Sequence, residues 1–194
     1  MSNTIELPFI EDMTFEAIDY SEKALPKGDY EHCQFIHCNF SNSDLSKISF
    51  SECEFISCDL SLAALINTSF KEISFKKCKL LGLHFDKCNA FMFSVRFENC
   101  SLALSSFYKC SLIKTSFKAC ELNDVDFTES DLTQATFDHC DLEGATFERS
   151  LLEKADFRSS DHYSINPEAN RISKAKFSLV GIAGLLDRYD IEVE

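Results

Sequence analysis

Glycine is scarce in this chain, five in 194 residues, and nothing in the sequence resembles a glycine-rich loop that cradles phosphate. Long apolar runs are missing too. Nowhere do eighteen apolar residues follow one another, and the opening MSNTIELPFI has neither a basic start nor an apolar stretch. Neither a membrane span nor a signal peptide is expected, and the expected location is cytoplasmic. Positive charge is in deficit, with 19 Lys and Arg against 32 Asp and Glu and a net charge of −13. Direct binding to nucleic acid takes clustered Lys and Arg, so the balance argues against it and for a basic partner. No serine or cysteine has a base at a recognisable catalytic spacing, so the expectation is no catalytic residues, no cofactor and no enzyme.

What the chain does have is cysteine, ten of them, and phenylalanine, nineteen. Every fifth residue from Phe35 to Phe85 is Phe or Leu, and after a break the same holds from Phe97 to Phe157. Fourteen of the nineteen Phe residues sit at these twenty-four centres. A period of five is neither helical nor that of a simple strand. In extended chain, residues two apart point to the same side, so each centre shares its inward direction with the residue two before it, and the remaining three-residue step turns a corner. Those partner positions are mostly small and all uncharged, and they include every cysteine: Cys33, Cys38, Cys53, Cys58, Cys78, Cys88, Cys100, Cys110, Cys120 and Cys140. The thiols are read as small inward fillers, reduced and protected. The stretch HCQFIHC looks like a metal motif, but its histidines point out while Cys33 and Cys38 point in. The four cannot converge, and no metal is expected.

Cys38, Cys58 and Cys78 are twenty residues apart, as are Cys100, Cys120 and Cys140. Four five-residue faces per coil would stack all six, with a two-residue bulge near residues 90–96 accounting for the longer step between Cys78 and Cys100. The alternation of Phe and Leu from Phe97 to Phe157 then stacks Phe on Phe and Leu on Leu.

The segments CNFSN, SDLSK, CDLSL, VDFTE, SDLTQ, CDLEG and ADFRS resemble the A(D/N)LXX unit of the pentapeptide repeat proteins. The resemblance covers residues 30–160 and implies an all-β, right-handed quadrilateral β-helix. GDYEHCQFIHCNF and the ending KAKFSLVGIAGLLDRYDIEVE are, within that family, most similar to the Qnr-type proteins that protect DNA gyrase and topoisomerase IV from quinolones. That narrower resemblance implies a DNA mimic acting on a bacterial type II topoisomerase and a twofold homodimer made by the C-terminal segment. The best-known Qnr-type proteins carry loops projecting from the coils, whereas this chain has room only for the two-residue irregularity between Phe91 and Val95.

The domain reading is an N-terminal cap at 1–29, repeats at 30–160, and a linker with a capping or dimerisation segment at 161–194. In NPEANRI, Asn166 reads as a helix cap with Pro167 in the first turn. A short C-terminal α-helix is expected from about Ser178 to Tyr189, weakened by Gly181 and Gly184. Its expected dimer interface is Leu179, Ile182, Leu185, Leu186, Tyr189, Ile191 and Val193.

Acids crowd residues 121–161, which hold twelve acids and three bases, a net of −9. Two coils rise about 10 Å at the ~4.8 Å spacing of strands, which gives about one negative charge per Å, denser than the one per ~1.7 Å of duplex DNA. Asp126, Asp131, Asp138, Asp141, Glu143 and Glu148 are the candidate partner-binding acids. The other reading of the same rod is a protein-binding scaffold with an unrelated partner, its acids serving solubility.

Overall fold

The computed structural model describes residues 7–189 and residue 191. The chain winds as a parallel β-solenoid, the arrangement that the period of five predicts. Among the described residues, eleven short strands form on two of its four faces. One face carries β1 (Phe9–Glu11), β3 (Asp29–Glu31), β5 (Ser49–Ser51) and β7 (Ser69–Lys71). The other carries β2 (Thr14–Glu16), β4 (Gln34–Ile36), β6 (Glu54–Ile56), β8 (Ile73–Lys76), β9 (Val95–Glu98), β10 (Ser116–Lys118) and β11 (Thr136–Asp138). We call the face of β2 face 1. Faces 2 and 3 follow it in each coil, joined to their neighbours by single parallel bridges such as Glu121 to Asp141 and Asp126 to Thr146. Face 4 is that of β1.

Register is twenty residues per coil, Phe35 opposite Phe55 and Phe117 opposite Phe137. It becomes twenty-two between β8 and β9, where Phe75 faces Phe97. Asn89 still bonds to Thr68 in the old register, so the two extra residues fall between Asn89 and Val95, within the bulge placed from the sequence.

Nine aromatic rings line up on face 1, from Phe15 to Phe177, with neighbouring centroids 4.6–5.4 Å apart and planes within 20°. Rings on the opposite face, Phe85, Phe107, Phe127 and Phe147, meet them edge-on at planes near perpendicular, 83° for Phe107 against Phe117. This alternation of stacked and edge contacts is the geometry that aromatic quadrupoles favour. Leucines fill the other two faces of the C-terminal coils.

The corners expose a cost that the sequence conceals. Among the described residues, twenty-six non-glycine residues, spaced mostly by five, have φ between 50° and 61°. They include Leu62, Leu104, Lys109 and Glu129, types that gain nothing from the left-handed region and each cost about 1–2 kcal/mol there. The ladder of backbone hydrogen bonds between coils and the buried rings must offset this. A second device holds the corners. The residue before a centre, where it is Asp or Asn, accepts a hydrogen bond from the backbone N–H two residues on: Asn39 from Ser41 at 3.0 Å, Asp59 from Ser61 at 2.9 Å, Asp126 from Thr128 at 2.9 Å. This is the Asx turn, and it supplies a physical reason for the acid or amide of the repeat unit.

Eight cysteines are buried, as expected, but Cys88 and Cys110 are only half-buried. The expectation that all ten are shielded fails at the bulge. There Phe93 packs edge-on against Phe85 but does not close the corner, leaving a small opening lined by Cys88, Ala90, Phe93, Tyr108 and Cys110. The inward thiols also do more than fill space. Cys58 donates to the carbonyl of Phe35 at 3.2 Å, Cys78 to that of Phe55 at 3.3 Å and Cys140 to that of Phe117 at 3.4 Å. Ser150 and Thr68 make the same contact to Phe127 and Leu45, both at 2.8 Å. A small side chain with a donor therefore suits this position better than alanine. Burial pushes the Cys53 thiol up to about 12 and that of Cys110 likewise to about 12. In native protein at neutral pH, alkylation followed by peptide mass analysis is expected to mark Cys88 and Cys110 slowly, and the other eight only after denaturation. Rapid labelling of Cys58 or Cys120 would contradict their inward placement.

Both ends differ from the sequence reading. Solenoid geometry starts before residue 30, since β1 and β2 already pair with β3 and β4 in the twenty-residue register. It continues beyond residue 160, with Leu151 bridged to Arg171 and Asp156 to Lys176. Asn166 caps a single turn, accepting from the N–H of Glu168 at 3.0 Å, and no helix follows. The C-terminal α-helix is also absent: Gly181–Leu185 and Asp187–Tyr189 are 3₁₀ turns, closed by Leu186 N–H to Ala183 O and Tyr189 N–H to Leu186 O. Two glycines in so short a segment weaken an α-helix, and the carbonyl of Gly184 is taken by the N–H of Ile165 at 2.9 Å.

Candidate interaction surface

Most side chains that could meet a partner stand on the four faces of the rod, so the question is which outward groups each face holds. The six acids singled out from the sequence are not brought together. Asp138 lies on face 1, Asp141 and Glu143 on face 2, Asp126 and Glu148 on face 3, and Asp131 on face 4. Three of them are engaged in Asx turns, Asp126, Asp131 with the N–H of Thr133 at 3.0 Å, and Asp141 with that of Glu143 at 3.2 Å.

Compensation separates the faces further. On face 1, Asp156 is held by Arg158 at 2.7 Å and Lys176 at 3.5 Å, which keep its carboxyl down at about 2. The hydrogen bond from His139 lowers Asp138. At the corner after face 3, Glu129 sits between Arg149 at 2.8 Å and Lys109 at 3.3 Å, and Arg149 lowers it. Glu153 on face 4 pairs with Arg171 at 3.0 Å. Face 2 is different. Glu121, Asp141 and Asp161 form a ladder in successive coils, with Asp124 and Glu143 beside it. No Lys or Arg occurs on this face from residue 120 to 164. Its one titratable counter-charge is His162, whose Nδ1 is 2.8 Å from Asp141; this contact raises the imidazole and lowers the carboxyl. Glu121, Asp124, Glu143 and Asp161 make no side-chain hydrogen bond or ion pair among the described residues. Counting acids along the chain marks the segment, but only the twenty-residue register shows that face 2 has no Lys or Arg there, while faces 1, 3 and 4 each carry at least one acid paired with a Lys or Arg.

Face 2 changes character towards the N-terminus. Leu62, Leu81 and Leu104 stand exposed there, with Leu62 lying across Gly82 so closely that a Cβ at Gly82 would meet its Cδ2 at 2.8 Å. Apolar residues and acids thus share one surface, the leucines at mid-rod and the carboxylates nearer the C-terminus.

A profile described as Pentapeptide repeat region matches residues 29–91 and 90–166. The chain belongs to the pentapeptide repeat family. Among solved structures it is similar to HetL, a pentapeptide repeat protein involved in heterocyst differentiation regulation from the cyanobacterium Nostoc. That match has 15% identity and a TM-score of 0.64, over 92% of this chain and 90% of that one. It is also similar to full-length QnrB1, a plasmid-mediated fluoroquinolone resistance protein, at 20% identity and a TM-score of 0.46, over 95% and 100% of the two chains. No curated protein sequence matches. For this pentapeptide repeat protein the solved structures speak to the fold alone, and no helix among the described residues is long and apolar enough to cross a membrane.

The predicted dimer residues divide in two at the C-terminal end. Leu185 packs against the core and Leu186 is half-buried, while Leu179 is 90% exposed and Ile182, Tyr189 and Ile191 are exposed as well; Val180, outside the predicted set, is also exposed. Tyr189 gives its hydroxyl to Glu168 at 3.0 Å. Val193 lies outside the described residues.

Proposed function

We propose that this pentapeptide repeat rod is a non-enzymatic protein that binds a type II topoisomerase, DNA gyrase or topoisomerase IV, by presenting face 2 as a stand-in for duplex DNA, and protects the enzyme from quinolones. The observation that carries the reading is the run of five acids on face 2, Glu121, Asp124, Asp141, Glu143 and Asp161, with no Lys or Arg among them. Spacing along the ladder follows the ~4.8 Å rise of the coils, close enough for the field of neighbouring carboxylates to add at the surface. The partner surface is therefore basic and shaped for a rod. A homodimer through the exposed Leu179, Val180 and Ile182 would double the acidic segment about a twofold axis.

A second reading is favoured by the leucines of the same face. A scaffold for a different protein partner would use Leu62, Leu81 and Leu104 as its contact and the acids only as rim.

Supercoiling by purified gyrase separates the two. Expected is a change in supercoiling at micromolar protein, or protection when a quinolone is present. This effect is lost in the triple variant Glu121→Lys, Asp124→Lys, Glu143→Lys and weakened by salt. None of the three side chains makes a hydrogen bond or ion pair among the described residues, and a thermal melt by circular dichroism checks that the coils tolerate lysine at the left-handed Asp124 corner. No effect of the parent protein at all would reject the topoisomerase reading and leave the leucine strip as the contact.

A further inference from the structure

At the opposite end of the rod, the corner between faces 4 and 1 carries Asp12, His32, Glu52 and Glu72 in successive coils, all at φ between 51° and 55°. Left-handed backbone fixed by the coil ladder sends these four side chains out in parallel. Glu31, on β3, stands beside His32. The imidazole lies between two carboxylates: its Nε2 is 3.8 Å from Glu31 Oε1 and its Nδ1 is 3.6 Å from Glu52 Oε2. One ligand atom from each of the three residues lies within 4.8 Å of the other two. Neither glutamate reaches a Lys or Arg within ion-pair distance among the described residues, so no fixed cation from the chain answers their charge.

We propose that Glu31, His32 and Glu52 form a binding site for a divalent transition-metal ion of the zinc class. Bond lengths of about 2.0–2.2 Å to tetrahedral zinc put neighbouring donors roughly 3.4 Å apart. The two contacts are made by different ring nitrogens, so an ion is held by one of them and the glutamate on the other side swings its carboxylate round to join it. The side chains are 41%, 37% and 53% exposed, so they have room to make that adjustment. A nitrogen donor selects against calcium and magnesium, which take oxygen shells, and for zinc, nickel or cobalt. Three protein ligands leave a fourth position for water, and Asp12 and Glu72 stand one coil away on either side. The histidine sets this cluster apart from the acids of face 2, where His162 meets Asp141 but no third donor joins them. The site links two successive coils, so the bound ion stabilises the N-terminal end against fraying.

The test is calorimetric titration of the metal-free full chain with zinc chloride, with cobalt(II) absorption as a second readout. The expected result is one ion per chain and visible cobalt bands without a thiolate charge-transfer band. His32→Asn, an amide that accepts a left-handed backbone, and Glu52→Gln should each weaken binding at least about 10-fold. His162→Asn should leave it unchanged. Circular dichroism of each variant checks that the coils are intact. Absence of binding at about 100 μM zinc would overturn the proposal, as would equal binding by His32→Asn and Glu52→Gln, or a thiolate band showing that the ion goes to cysteine.

Discussion

Replacing Leu122 by Asp is expected to lower the melting temperature of the rod by at least about 10 °C. Leu122 is fully buried, its backbone N–H is bonded to Asp141 O in the next coil, and only apolar centres lie above and below it on face 2. A carboxylate there has no cationic partner and no donor, and the cost of burying it is several kcal/mol. Leu122→Ala loses only packing, about 2–5 kcal/mol. Because each coil contacts only its neighbours, the damage should spread from the lesion towards the nearer end. Thermal unfolding followed by circular dichroism should show Tm falling by at least about 10 °C for Leu122→Asp, at 2–4 °C per kcal/mol for a chain of this size. Glu121→Gln, one residue away and outward, should stay within about 0.5 kcal/mol of the parent. A Leu122→Asp protein that melts like the parent would mean that the inward and outward positions have been exchanged.

That contrast between adjacent residues follows from the period of five alone, and so much of the fold was legible for one reason. Each inward centre must be large and apolar, and a break in the spacing must appear as a bulge, as between Asn89 and Val95. The corners were not legible. Lys47, Leu62, Glu72 and Lys154 sit at positive φ although nothing in their chemistry favours it, because the coil closes through cumulative packing and overrides the preference of each residue. The half-buried thiols of Cys88 and Cys110 were missed because their inward register is correct; it is the inserted corner beside them that opens. The three- and four-residue spacing of apolar side chains over Ser178–Tyr189 reads as an α-helix, but Gly181 and Gly184 weaken it and the segment forms 3₁₀ turns instead. As for the acids, an Asp at the position before a centre serves two roles, turn cap and surface charge, and sequence counting treats both as charge. Glu121, Asp124, Glu143 and Asp161, by contrast, cap no turn and make no side-chain hydrogen bond or ion pair among the described residues.

The C-terminal end yields the second large effect, because there two glycines are pressed onto one tyrosine. A Cβ at Gly184 would lie 2.0 Å from the carbonyl oxygen of Tyr163, and one at Gly181 would lie 2.2 Å from the hydroxyl of the same residue. The first obstacle is backbone and cannot turn aside. Gly184→Ala is therefore expected to lift the 3₁₀ segment from the last coil, break the bond from Ile165 N–H to Gly184 O, and uncover Tyr163, Ile165 and Phe177. Overpacking of this kind costs about 1–3 kcal/mol, and at the end of a solenoid it exposes a coil with no partner. The expected readings are a lower Tm and faster exchange of the amides near Ile165. Leu179→Asp is the companion. Leu179 is 90% exposed and supports nothing within its own chain, so the variant should keep the parent's Tm as a single chain while size-exclusion chromatography with light scattering shows a monomer in place of a dimer. If the parent is itself monomeric, or if Leu179→Asp remains a dimer, the C-terminal segment is a cap and no more. Face 2 of one chain would then have to meet its partner alone, with five acids rather than ten.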